Sequence, residues 1–193
     1  MDKPRLAKKG EFHMRGAHEF IGLPVMDAQK GKRLGKARDL LLDEDWHAIG
    51  IVLDYKALFM KARYVPWQDI VAFGEDAIMV ASRDCVKEFT HLKGGWHYLY
   101  MDKRPLAGMP VLTLEGVQLG KAQNVYFSQN MDNTIVGLEL SDGILTDLRE
   151  GRKILTLPAG TKRGKDAITV PVYRLNEAGA GELIPYERLG DAN

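Results

Sequence analysis

Gly22-Leu23-Pro24-Val25, Leu34-Gly35-Lys36-Ala37, Ile49-Gly50-Ile51-Val52-Leu53 and Asp76-Ala77-Ile78-Met79-Val80 follow one another along the first half of the chain. The second half runs through the same series as Gly108-Met109-Pro110-Val111, Leu119-Gly120-Lys121-Ala122, Val136-Gly137-Leu138-Glu139-Leu140 and Asp166-Ala167-Ile168-Thr169-Val170. The order is kept and the spacing drifts by a few residues, as small loop insertions would produce. An internal repeat is therefore the first feature to explain, because it sets the fold.

Inside each copy the hydrophobic period is two. Val52 and Asp54 fall on one face of a run whose other face carries Ile51, Leu53 and Tyr55. Such runs are short, rich in β-branched and aromatic residues, and bounded by Gly, Asp or Pro, which marks strands. Copy one parses as Pro24–Met26, Gly35–Asp43, Ala48–Tyr55, Arg63–Pro66, a tight turn at Trp67–Ile70, Val71–Phe73 and Ala77–Val80. Copy two parses as Val111–Leu114, Gly120–Ser128, Thr134–Leu140, Lys153–Leu157 and Ala167–Pro171. Many short strands without a crossover helix predict an all-β protein of two tandem small antiparallel barrels. A module of about 60 residues is marginal alone, so the two should pack together.

The 193 residues suit one or two domains. The division expected is a mobile tail over 1–17, a first barrel over 18–82, a linker over 83–104 and a second barrel over 105–193. In the linker, Ser82 offers a helix cap, Val86, Phe89 and Leu92 recur every third residue, and Gly94-Gly95 supplies a stop. A short helix is the expectation, followed by a strand at Trp96–Tyr100. Leu183-Ile184-Pro185-Tyr186 would dock as a last strand or loop. The tail is basic and aperiodic, with no apolar run of the kind a secretory signal needs. Gly10-Glu11-Phe12-His13-Met14 resembles translated cloning sites, which would put the native start at Met14.

The motifs of copy one, together with Gly31 and the stretch Tyr64-Val65-Pro66-Trp67-Gln68-Asp69-Ile70, resemble the PRC-barrel family. That family includes the cytoplasmic domain of the photosynthetic reaction-centre H subunit and the carboxy-terminal domain of the ribosome-maturation factor. The likeness is weaker in copy two, where Leu157-Pro158-Ala159-Gly160 replaces the Val-Pro-Trp-Gln stretch. The whole chain looks most like the tandem PRC-barrel proteins of Gram-positive bacteria. The resemblance implies a fold and a habit of acting through protein contacts, and fold alone does not fix function.

The charge balance, 27 Lys and Arg against 26 Asp and Glu, lacks the field of a dedicated nucleic-acid binder. No run reaches the about 18 apolar residues of a membrane span. The single cysteine, Cys85, excludes a disulfide framework. A cytoplasmic location is the expectation. No catalytic constellation emerges: Cys85 and His91 lack an acidic companion, and His91 with His97 lacks a third ligand. Asp43-Glu44-Asp45 reads as a solvated turn and Asp142-Gly143 as a hairpin. No enzyme activity, cofactor or metal is expected.

Aromatic and basic residues make the better candidates for partner contact: Trp46 in a turn, Trp96, Tyr98 and Tyr100 on one strand face, and Arg152, Lys153, Lys162 and Arg163 at hairpin tips. Aromatics bury a large area for few rotatable bonds. Two readings of them stay open: Trp67 and the Trp96–Tyr100 face pack within and between the barrels, or that face forms a partner groove. The function expected is a non-catalytic adaptor for a protein partner or a second copy of the chain. An RNA- or ribosome-associated factor is the alternative, and a small-molecule or metal-binding barrel a third.

Overall fold

The computed structural model describes residues 14–54, 62–89, 95–101, 103, 105–128, 130–141, 148–149, 152–171, 173–175 and 181–183. The strands of the first half are β1 (Met14–Gly16), β2 (Pro24–Asp27), β3 (Arg33–Asp43), β4 (Ala48–Leu53), β5 (Arg63–Pro66), β6 (Ile70–Phe73), β7 (Ile78–Val80) and β8 (Lys87–Glu88), and β9 (Trp96–Tyr98) leads into the second half. The second half supplies β10 (Pro110–Thr113), β11 (Gln118–Ser128), β12 (Ile135–Ser141), β13 (Leu148–Arg149), β14 (Arg152–Thr156), β15 (Lys162–Arg163), β16 (Ile168–Val170), β17 (Tyr173–Leu175) and β18 (Gly181–Leu183). The protein is mostly β. One sheet follows the path β6-β7-β2-β3-β4-β5-β8 and the other β13-β14-β12-β11-β10-β16-β15, while β17 and β18 pair separately. The end strands of each path do not pair with each other among the described residues, which form half-barrel sheets.

Both sheets contain a parallel pairing that the strand pattern did not anticipate. Val25 pairs with Ile78 and Asp27 with Val80, while Val111 pairs with Ile168 and Thr113 with Val170. The reason is chain length between partners: β7 and β16 return after several intervening strands, long enough to re-enter in the same direction as β2 and β10.

Over residues 82–89, the described part of the expected linker helix, the chain takes a 3-10 turn and a short strand instead. Ser82 does cap, its hydroxyl accepting from the Asp84 amide at 3.2 Å, but only a 3-10 turn at Arg83–Cys85 follows. Lys87 and Glu88 then pair with Tyr64 and Arg63 of β5. Phe89, which the threefold spacing placed on a helix, instead lies with its ring 5.5 Å from Tyr64. Tertiary aromatic packing overrides a short local period, as it commonly does for weak helical signals. Leu92 and Gly94 fall outside the described residues, as do Asp142-Gly143, residues 184–186 and the tail up to His13.

Met14–Gly16, assigned to the tail by the sequence, is a strand of the second sheet. Met14, Arg15 and Gly16 pair antiparallel with Ser128, Phe127 and Tyr126 of β11. Reciprocally, Trp96, His97 and Tyr98 of β9 pair with Asp43, Leu42 and Leu41 of β3. Each leading strand thus crosses to the other half. The tips of the two long hairpins meet as well: His47 bridges Thr134, the Ala48 amide donates to Asn133 at 2.7 Å, and the Ile135 amide donates to Trp46 at 2.9 Å.

One hydrophobic core spans both halves, including Phe20, Leu40, Leu42, Ile51 and Val65 from the first and Val111, Val125, Phe127, Leu138 and Ile168 from the second. Trp67, in a 3-10 turn at Trp67–Asp69, stacks 4.9 Å from Phe127 and donates its indole N–H to the Met131 carbonyl at 3.2 Å. Gly50 of β4 is required by a close approach: a Cβ there would lie 2.3 Å from the Val65 carbonyl oxygen. At Gly137 of β12 the nearest atom is the Ile154 Cγ2, at 3.2 Å, a side chain that can give. Gly50→Ala should therefore cost about 2 kcal/mol or more, in the range of overpacking strain, and Gly137→Ala distinctly less. Chemical denaturation of both variants checks the order.

Candidate functional site

Strand alternation sorts the side chains of β9. Trp96 and Tyr98 stand opposite Asp43 and Leu41, so both rings lie on the outer face of β3, whereas His97, opposite Leu42, lies on the core side. On that outer face, buried Leu41, Val52 and Tyr64 form a second, smaller apolar cluster, covered by the partly exposed Ile49, Phe89, Trp96 and Tyr98. The rings interlock: Phe89 lies 5.4 Å edge-on from Trp96 and 6.0 Å stacked on Tyr98, and Trp96 meets Tyr98 edge-on at 5.4 Å. These are favourable aromatic geometries. Burial, then the charge of Asp69, pushes the Tyr64 phenol above its ordinary value.

Ile49 and Tyr64 also line an open groove of about 980 Å³, together with Pro66, Lys87, Met131 and Asn133 among others. Its floor belongs to the first sheet and one wall to the β11–β12 turn. Ile49 and Tyr64 thus belong both to the aromatic cluster and to the lining of a groove that reaches the β11–β12 turn.

The sequence-predicted candidates separate. Trp96 and Tyr98 join this surface. Tyr100 does not share their face: beyond the end of β9 its hydroxyl donates to Asn124 Oδ1 at 2.9 Å, and burial, then the charges of Asp39 and Glu139, push the phenol up to about 12. Trp46 is buried rather than displayed, at 7% exposure, and donates its indole N–H to the Thr161 carbonyl at 2.9 Å. It reaches that position through a left-handed backbone, φ 64°. Lys162 is exposed, but Arg163 turns inward and its Nη1 donates to His97 Nε2 at 3.1 Å. Arg152 and Lys153 pair through their backbones with Arg149 and Leu148 in β14, and their side chains lie outside the described residues. The basic candidates therefore do not gather into one described patch. Tyr64, Phe89 and Ile49 were missed as site residues. Alternation on β4 and β5 could have placed Ile49 and Tyr64 opposite the core face, but nothing local revealed Phe89.

Behind the surface, Asp39 anchors the chain that follows β9. Its buried carboxylate accepts the amides of Leu40 at 2.7 Å, Tyr100 at 3.1 Å and Met101 at 2.6 Å. The matching residue of β11, Asn124, accepts from Tyr100 and donates to Glu139 Oε2 at 3.3 Å, and its amide also meets His18 Nδ1. Among the described residues no group of three or more His, Cys, Asp or Glu side chains is placed to hold a metal ion. Cys85 is a partly buried free thiol. No described helix is long and apolar enough to cross a membrane.

A half-barrel of short strands with one parallel pairing and a buried tryptophan turn defines a small β-barrel-type module. Residues 12–84 match the family model of the PRC-barrel domain. No curated protein matches the chain.

Burial raises the Asp39 carboxyl above its ordinary value, against the opposing pull of the amides it binds. The native protein thus takes up this proton at higher pH than the unfolded chain. The group's contribution to stability is greatest below the unfolded value of 3.8 and declines as pH rises through the raised native value. Asp39→Ala should abolish that slope. At neutral pH it should also cost about 2 kcal/mol or more, because buried amides lose their acceptor. Denaturation midpoints measured across the acid range test both outcomes.

Proposed function

We propose that the chain is a non-catalytic cytoplasmic adaptor of two PRC-barrels that holds a protein partner on the surface formed by Tyr64, Phe89, Trp96 and Tyr98 and the groove beside it. The observation that carries this reading is a cluster of four aromatic rings, one of which, Tyr64, also lines a groove of about 980 Å³. Clustered aromatics beside a concavity are the usual anchors of protein interfaces. The second barrel is supported by the shared pairing plan, in which Val25↔Ile78 and Val111↔Ile168 are both parallel while β2–β3 and β10–β11 are both antiparallel with a bulge at the same place. For an RNA-associated role the described part of the Thr161–Lys165 tip offers exposed Lys162 and Lys165, while Arg163 is engaged with His97, so this reading receives less support.

Affinity capture from the native cytoplasm with the full chain tests the proposal. Tyr98→Ala and Phe89→Ala should each weaken partner capture about thirtyfold, equivalent to about 2 kcal/mol at an interface anchor. The melting temperature should move by only a few degrees. Lys162→Ala should leave capture intact. Retained capture by both aromatic variants, or RNA binding that weakens steeply with salt and with Lys162→Ala, would reject the reading.

A further inference from the structure

The two halves meet through a local twofold relation. His47 of the β3–β4 turn bridges Thr134 of the β11–β12 turn, and the bonds on either side are reciprocal. The Ala48 amide donates to the Asn133 carbonyl at 2.7 Å, and the Ile135 amide donates to the Trp46 carbonyl at 2.9 Å. Exchanging the halves therefore exchanges Ala48 with Ile135 and Trp46 with Asn133. The repeat keeps the same spacing just beyond, where Ile49-Gly50 corresponds to Val136-Gly137. One end of this junction thus carries an indole, and the other a short amide side chain.

That difference changes what each side of the junction holds. Toward the second half, Trp46 joins the shared core and donates its N–H to Thr161, which closes the turn after Pro158. Toward the first half, Asn133 and Asp132 are exposed and line the groove of about 980 Å³. Ala48 and Asn133, bonded to each other across the junction, both line it, so the groove is continuous with the interface between the halves. Its walls suit a ring: Tyr64 and Trp67 are aromatic, and Met131 brings a polarizable thioether. Trp67 is a wall and not a filler, because its own N–H is committed to the Met131 carbonyl. The lining carries one charge of each sign, Lys87 and Asp132, and so selects neither an anion nor a cation. The exposed side-chain amides of Gln68 and Asn133 offer acceptors to an N–H.

We propose that this groove takes a tryptophan side chain of the partner protein, seated on the first-half side of the junction as Trp46 is seated on the other. The inference rests on the adaptor reading and adds to it what the partner must present: an exposed indole at the centre of its contact surface. A buried tryptophan in a pocket is the commonest kind of interface anchor, since it brings a large rigid area and one directional donor.

The test uses the intact chain with N-acetyltryptophanamide as the ligand, followed by backbone amide chemical shifts. Saturable shifts should centre on Ile49, Gln68 and Asn133. N-acetylleucinamide, which has no ring face and no indole N–H, should bind about tenfold more weakly. Asn133→Trp rebuilds the filled junction from within and keeps the backbone bond to Ala48. It should abolish uptake of the tryptophan amide without lowering the melting temperature. If that variant does not fold, Ile49→Glu at a half-buried position of the same wall takes its place and should weaken uptake by about tenfold or more. No saturable shifts, shifts centred elsewhere, equal affinity for the leucine amide, or undiminished uptake by the folded variant would overturn the proposal. So would shifts at the same amides that grow with protein concentration alone, which would make a second copy the occupant. Failure here is distinct from failure of the adaptor reading. Partner capture that depends on Phe89 and Tyr98 without uptake of the tryptophan amide removes only the indole site. Specific uptake by a chain whose capture ignores both aromatics removes only the adaptor surface.

Discussion

Everything in this fold leans on the crossing of two leading strands. β1 precedes the first half of the chain but pairs with β11, and β9 precedes the second half but pairs with β3. β3 and β11 are the longest strands, and each pairs with a short strand over one end of one edge and with the leader over the other. Without the leader, that second end would expose unpaired amides and carbonyls, a costly arrangement beside a hydrophobic core. Supplying the missing pairing from the opposite half joins two marginal modules into one unit. The junction is reinforced where the hairpin tips bridge and where Phe20, Trp67, Phe73 and Phe127 pack together.

Equivalent placement does not give the halves equivalent surfaces. The outer positions of β9 are Trp96 and Tyr98, whereas those of β1 are Met14 and Gly16. β9 therefore lays an aromatic layer over Leu41 of the first sheet, and Phe89 completes it from β8's end. The polar centre differs in the same way. Asp39 gathers backbone amides, while Asn124 links side chains: Tyr100, Glu139 and His18. An amide both donates and accepts, so it can connect groups that a carboxylate could only receive.

The strand plan was largely legible. Period-two alternation found β3, β4, β11 and β12 within a residue or two, since one face of each meets the core and the other does not. The turn at Trp67–Asp69 was also visible, because Pro66 sets its entry. The linker helix failed for a physical reason. Val86 and Phe89 satisfy a helical spacing, but β5 offers their segment an open edge and Tyr64 offers Phe89 a ring, and those rewards come from residues far away in sequence.

What the amino acids determined by themselves is the period, the turn chemistry and the self-similarity of the two halves, all properties of neighbours along the chain. Which half each leading strand would join was decided only in three dimensions, and so was the fate of the candidates: Trp96 and Tyr98 outward, Trp46, Tyr100 and Arg163 inward. An aromatic or an arginine reads the same in a sequence whether it caps a surface or closes a seam. The difference lies in the register of a distant strand, and register is set by the packing of a whole face rather than by any one residue.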